Sequence, residues 1–231
     1  MSADFSPFVT WLGEFGADAG AFFLSVMMLI GHYAILRRHA LRDPTFSIHF
    51  VNDLTRRIWV ESVMSKPGQE IMAVQTLRNF IMICIVMVST TTLLIIGTLT
   101  LSGQADVISH SWQALNLIGS RSSQLWIVKV MCLLADFLVT FFAYSMAMRL
   151  ANHVLFMINV PEEFQVAHDV LSPQQVARRL NHAGHMVAIG FRSLIIAIPL
   201  VFWLFGPLYL LLATAGVVAI LSRIDRHKEW I

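Results

Sequence analysis

The stretch FIMICIVMVSTTTLLIIGTLTL, from Phe80 to Leu101, contains no charged residue and no histidine. An α-helix rises about 1.5 Å per residue and bilayer hydrocarbon is about 30 Å thick, so a segment of this length and character is suited to crossing a membrane. Similar stretches run over about 15–36 and 126–148. Apolar sequence then resumes near Met186 and continues to Leu221, broken by Pro199 and by Phe205-Gly206-Pro207. Across all 231 residues, 57% are hydrophobic and 13% charged, which excludes an ordinary soluble globule. The expected class is all-α, a polytopic transmembrane helix bundle forming one integral membrane domain over 1–231. The opening residues MSADFSPFVTWLGEFG are acidic rather than basic and show no cleavage pattern, so the first span is expected to stay in the chain.

The positive-inside rule orients the spans. No Lys or Arg precedes the first, whereas the connection after it carries Arg37, Arg38, Arg42, Arg56, Arg57, Lys66 and Arg78. That connection is expected to be cytoplasmic and the N-terminus outside. The segment 102–125 holds only Arg121, as an external loop should, and Arg149, Arg178, Arg179 and Arg192 return the next segment inside. Arg223, Arg226 and Lys228 place the C-terminus in the cytoplasm, which requires five crossings, at about 15–36, 80–101, 126–148, 186–205 and 207–221. Four crossings are the alternative, because 207–221 is short and 186–221 can form one kinked helix. The expected location is a bacterial inner membrane.

Two cytoplasmic connections read as amphipathic helices at the membrane surface. Phe46, Phe50, Leu54 and Ile58 recur every four residues, with Asn52, Asp53, Arg56 and Arg57 on other faces and Trp59 at headgroup depth. In the other connection, Ser172-Pro173 predicts a helix start, Ser as N-cap and Pro in the first turn, and Gly184 predicts its stop.

Four segments, TRRIWVESV (55–63), AVQTLRNFIM (73–82), RRLNHAGHMVAIGFRS (178–193) and WLFGPLYLL (203–211), together resemble the membrane family catalogued as domain of unknown function 599, found in bacteria and plants. The resemblance implies a multi-span membrane protein and brings no activity, ligand or catalytic residue with it.

The residues themselves single out several positions. Asp136 falls near mid-membrane, where a charge costs on the order of 3 kcal/mol, so it must face protein, be protonated or have a partner. Lys129 stands two turns nearer the outside at the depth of Asp18, which predicts an Asp18–Lys129 pair, with Asp136 bonded by the hydroxyls of Ser89, Thr90, Thr91 and Thr92. Those hydroxyls can equally bond their own helix. At the inner interface, Arg56, Arg57, Trp59, Gln75, Arg78, Asn79, His182 and Arg192 are candidates for holding anionic lipid headgroups or a ligand. Cys84 and Cys132 lie in apolar sequence and read as small hydrophobes. His32, His39, His49, His153, His182 and His185 show no metal-binding spacing, so no metal is assigned and no cofactor is identified.

Nucleophile-elbow, Walker and dinucleotide-binding patterns are absent, and the basic residues are spread as topology requires rather than gathered for nucleic acid. Three functions stay open. The favoured one is a non-catalytic subunit or scaffold of a membrane assembly, partnered by anionic lipids at the cytoplasmic face and by other membrane subunits or further copies of itself. The second is a small proton- or cation-coupled transporter using Asp136. The third is a membrane enzyme acting on lipid or quinone, with a cleft among Arg57, Gln75, Arg78, Asn79 and His182.

Overall fold

A computed structural model describes residues 6–42, 48–103 and 123–224, and Phe46, Arg121, Arg226 and Lys228 lie outside them. Among the described residues all regular structure is helical. The elements are α1 (Ser6–Arg42), α2 (Ile48–Ser65), α3 (Glu70–Gly103), α4 (Ser123–Met157), α5 (Glu162–Ala167), a short 3-10 turn (Asp169–Leu171), α6 (Pro173–Trp203) and α7 (Pro207–Ile224). The all-helical bundle expected from composition is present. Four helices are long and apolar enough to cross a membrane, within Phe15–His39, Glu70–Gly103, Gln124–Met157 and Pro173–Trp203. At 34 and 35 residues, α3 and α4 extend about 50 Å, well past the thickness of the hydrocarbon. With 18 residues, about 27 Å, α7 is the short apolar helix of the set.

Large apolar side chains cover the outside of these helices. Leu24 and Met27 on α1, Ile83 and Leu93 on α3, Phe142 on α4 and Leu212 on α7 are all exposed. Water would penalise such a surface heavily, whereas lipid tails accept it without cost.

Local rules explain where α6 begins and ends. Ser172 is extended, at φ −63° and ψ 150°, and Pro173 opens the helix, a position where its missing N–H is not needed. Gly184 does not stop the helix, contrary to the expectation from sequence, and neither does Pro199, which the helix passes through to Trp203. In a membrane span, neighbouring helices can satisfy the carbonyl that a proline frees. The chain turns at Gly206, whose φ of +144° disfavours any side chain, and its N–H donates to the Trp203 carbonyl at 3.1 Å. Pro207 then starts α7 at the expected bend.

The chain falls into two compact units. One, here the Asp18 unit, comprises Met1–Arg42, Leu94–Phe137 and Leu194–Ile231. Within it α1 and α7 pack along one another, and small apolar clusters form around Trp126, Val130 and Leu204, around Ala21, Trp203 and Leu210, and around Leu133, Phe137 and Ala197. The other, the Asp53 unit, comprises Asp43–Leu93 and Leu138–Ser193. Its core is a single larger cluster to which α2 gives Val60 and Val63, α3 gives Ala73 and Leu77, α4 gives Val154 and Met157, and α6 gives Val176, Ala177 and Leu180.

Candidate functional site

Two polar clusters hold nearly all the described ionic contacts. In the Asp18 unit, the structure brings Asp18 and Lys129 together: Nζ lies 2.7 Å from Oδ1, with the two side chains 0% and 4% exposed. The Trp203 indole N–H donates to the same oxygen at 3.0 Å. Lys129 Nζ stands 5.5 Å from the centre of the Trp203 ring, within the range of a cation–π contact. Phe22 stacks on that ring at 4.9 Å between centres, with planes 21° apart. One carboxylate thereby serves an ammonium and an indole donor, which offsets the cost of removing both charges from water.

In the Asp53 unit, α2 lies against α6 through a row of residues at alternating spacings of four and three. His49, Asp53, Arg56, Val60 and Val63 form this row, polar at its start and apolar at its end. Opposite them the order on α6 is reversed, so the two helices run antiparallel. The Arg192 guanidinium donates to His49 Nε2, which must therefore accept and carry no proton. His185 Nε2 donates to the Asp53 carboxylate, at 2.8 Å from Oδ2 and 3.0 Å from Oδ1. Arg56 Nε donates to Asn181 Oδ1 at 2.9 Å and its Nη2 to Asp53 Oδ1 at 2.7 Å. Asn181 completes the ring by donating Nδ2 to the Asp53 backbone carbonyl at 3.2 Å.

Gly184 explains how so bulky a group fits between two helices. A Cβ at that position would stand 2.5 Å from Arg56 Cζ and under 3 Å from both terminal guanidinium nitrogens. The guanidinium thus lies flat on bare helix backbone. Gly190 does the same for an aromatic ring, since a Cβ there would come 2.6 Å from Cε2 of the fully buried Tyr144.

Other candidates from the sequence are placed differently. The hydroxyls of Thr90, Thr91 and Thr92 each donate to the carbonyl four residues back, at 2.9, 2.7 and 2.9 Å. A hydroxyl has one proton, so these three are committed to their own helix rather than to Asp136. Ser89 is exposed on the same helix, and Asp136 is half-buried in the Asp18 unit. Arg57 pairs with Glu61 at 3.1 Å on the exposed side of α2. Trp59 is half-buried against the core of the Asp53 unit. Gln75, Arg78, Asn79 and His182 are exposed, and among the described residues no hydrogen bond joins them. The same residues hold no cluster of His, Cys, Asp or Glu able to bind a metal.

Sequence reasoning missed Asp53, Asn181 and Trp203 as site residues, and it weighed His185 only for metal binding and assigned it no role. The signal that could have found the first group is the four-three spacing of His49, Asp53, Arg56, Val60 and Val63, whose polar half hides a packing face. What the arrangement can do is hold helices in register and neutralise charge.

No curated protein and no solved structure matches the chain. A family model described as a protein of unknown function, DUF599, matches residues 21–230, a range that contains Lys129, Trp203 and the whole Asp53 network. The chain therefore belongs to the DUF599 family of proteins of unknown function.

Proposed function

We propose that this protein is a non-catalytic subunit or scaffold of a membrane assembly, set in an inner membrane with its N-terminus outside and its C-terminus in the cytoplasm. The observation that carries this reading is the exposed side of α2. Its polar row faces α6, while Phe50, Leu54 and Ile58, one helical turn apart, remain exposed. A helix held in place by its polar side and presenting an apolar stripe outward has a surface for something else to cover. Anionic lipid headgroups and a neighbouring membrane subunit are the proposed contacts, with Arg57 and Arg78 at the lipid phosphates. The buried charges support the same reading, because Asp18 and Lys129 neutralise each other. On this reading α7 completes a fifth crossing.

The test is extraction of native membranes in mild detergent without crosslinking, followed by purification of the tagged full-length chain. Wild type is expected to bring defined membrane proteins in fixed ratio, and Leu54→Glu to lose them while keeping its thermal unfolding. A wild-type chain that runs alone with lipid overturns the reading. Labelling of single cysteines in the 37–78 connection from the cytoplasmic side only is the expected topology result.

A further inference from the structure

The Asp18 unit contains a cleft of about 420 Å³, within the range of about 300–1,000 Å³ typical of small-ligand sites. Ala19, Phe22 and Phe23 of α1, Leu125 and Val128 of α4, and Trp203 form its walls. Ala19 provides the space, since a methyl group stands where α1 otherwise presents phenyl rings. Trp203 is a fixed wall: its N–H is held by Asp18, Phe22 stacks on it, and Lys129 stands over the ring. A wall fixed in advance lowers the ordering cost of whatever binds.

The surroundings narrow the occupant. Both α1 and α4 contain segments apolar and long enough to span a membrane, and two of the cleft's lining residues, Phe23 and Val128, are exposed. Their neighbours Leu24, Met27, Ile127 and Met131 are exposed and apolar, so the cleft's exposed lining belongs to the apolar surface these helices would turn to lipid. Water in such a space would lack the two to four polar partners it requires. One polar side chain lines the cleft among the described residues, that of Gln124, at the first turn of α4. Its amide both donates and accepts, which suits the ester and phosphate oxygens of a lipid whose chain lies farther in.

We propose that this cleft is a binding site for one acyl chain of a bilayer phospholipid, with Gln124 at the headgroup end and Trp203, positioned by the Asp18–Lys129 pair, as its wall. The site does not depend on the assembly role proposed above, only on the helices lying in a bilayer.

The experiment uses full-length protein in phosphatidylcholine–phosphatidylglycerol vesicles doped with a phospholipid that carries a diazirine on one acyl chain. After photolysis, the inserted chain is mapped by peptide mass spectrometry. Adducts on Phe22, Phe23, Leu125 and Val128 are expected to exceed those on Ile96 and Leu99, exposed apolar residues of α3, by about tenfold, one decade in binding constant. Ala19→Phe should abolish that excess and leave the Ile96 and Leu99 adducts unchanged, with Val128→Phe as the second filling variant should the first fail to fold. Equal labelling of cleft and α3 surface overturns the proposal, as does an excess that survives filling. Labelling absent from Ile96 and Leu99 as well overturns it together with the membrane placement, whereas failure of the pull-down alone leaves the expected labelling intact.

Discussion

The Asp18 and Asp53 clusters use the same chemistry in different surroundings. Each centres on one aspartate that accepts from a cation and from a ring N–H. Asp18 and Lys129 are almost completely removed from solvent, whereas Asp53 is 30% exposed, Arg56 25% and His185 49%. Burial strengthens the attraction between charges but also raises the cost of leaving either one alone, and the second effect governs what a mutation does. At Asp53, solvent replaces much of what a lost partner supplied, so individual contacts matter less and the helix register they define matters more. A buried pair is therefore sensitive to single changes, while a half-exposed network resists them.

The sharpest way to break this contrast is to remove one charge of the buried pair. Lys129→Met is expected to lower stability by about 3–5 kcal/mol, because Asp18 is left buried without its counter-ion. The double variant Asp18→Leu/Lys129→Met should recover most of that loss, as seen by unfolding of the purified protein in detergent. Equal losses in the single and double variants would show that packing, not charge, sets the effect. Next in size is Gly190→Ala, expected to cost about 1–3 kcal/mol because the buried Tyr144 ring must move to admit the methyl group. Smaller again is Asp53→Asn, at about 1 kcal/mol or less, with an effect that shrinks further as salt is raised. A loss there as large as that of Lys129→Met would erase the distinction between the two clusters.

The smallest net change is expected at Gly184. Alanine gains about 1 kcal/mol of helix propensity over glycine, but its methyl group displaces the Arg56 guanidinium and weakens bonds to Asn181 and Asp53 of similar worth. Near-neutral stability for Gly184→Ala, together with tolerance of Arg56→Ala when Gly184 is already alanine, would show that the two positions act as one contact. A double-mutant cycle measures that coupling directly.

Much of the architecture is legible in the sequence. The uncharged run from Phe80 to Leu101 lies within α3, Ser172-Pro173 opens α6, and Gly206-Pro207 is the bend. These features are local, decided by hydropathy, by a missing proline N–H and by a glycine φ. The reading of Gly184 as a stop failed for an instructive reason. Glycine ends helices when its backbone freedom is used, but here its missing side chain is used instead, and nothing within the neighbouring turns of α6 reveals that an arginine of α2 lies over it. On α2 the apolar row Phe50, Leu54 and Ile58 is exposed, as a face turned to a membrane surface would be, and what the sequence did not reveal is that the polar row His49, Asp53 and Arg56 makes the contact with α6.

Long apolar helices, their approximate extents and the bend before α7 follow from the order of residues alone, because lipid selects long apolar helices whatever their neighbours are. Which polar groups meet is another matter. Asp18 is 185 positions from Trp203, and Arg56 is 125 from Asn181, so their bonds exist only once separate helices have docked side by side. Hydrogen bonds and ion pairs act over a few ångströms and carry no trace in local composition, which is why the partners of each charge were decided by the packing of helices rather than by the chain between them.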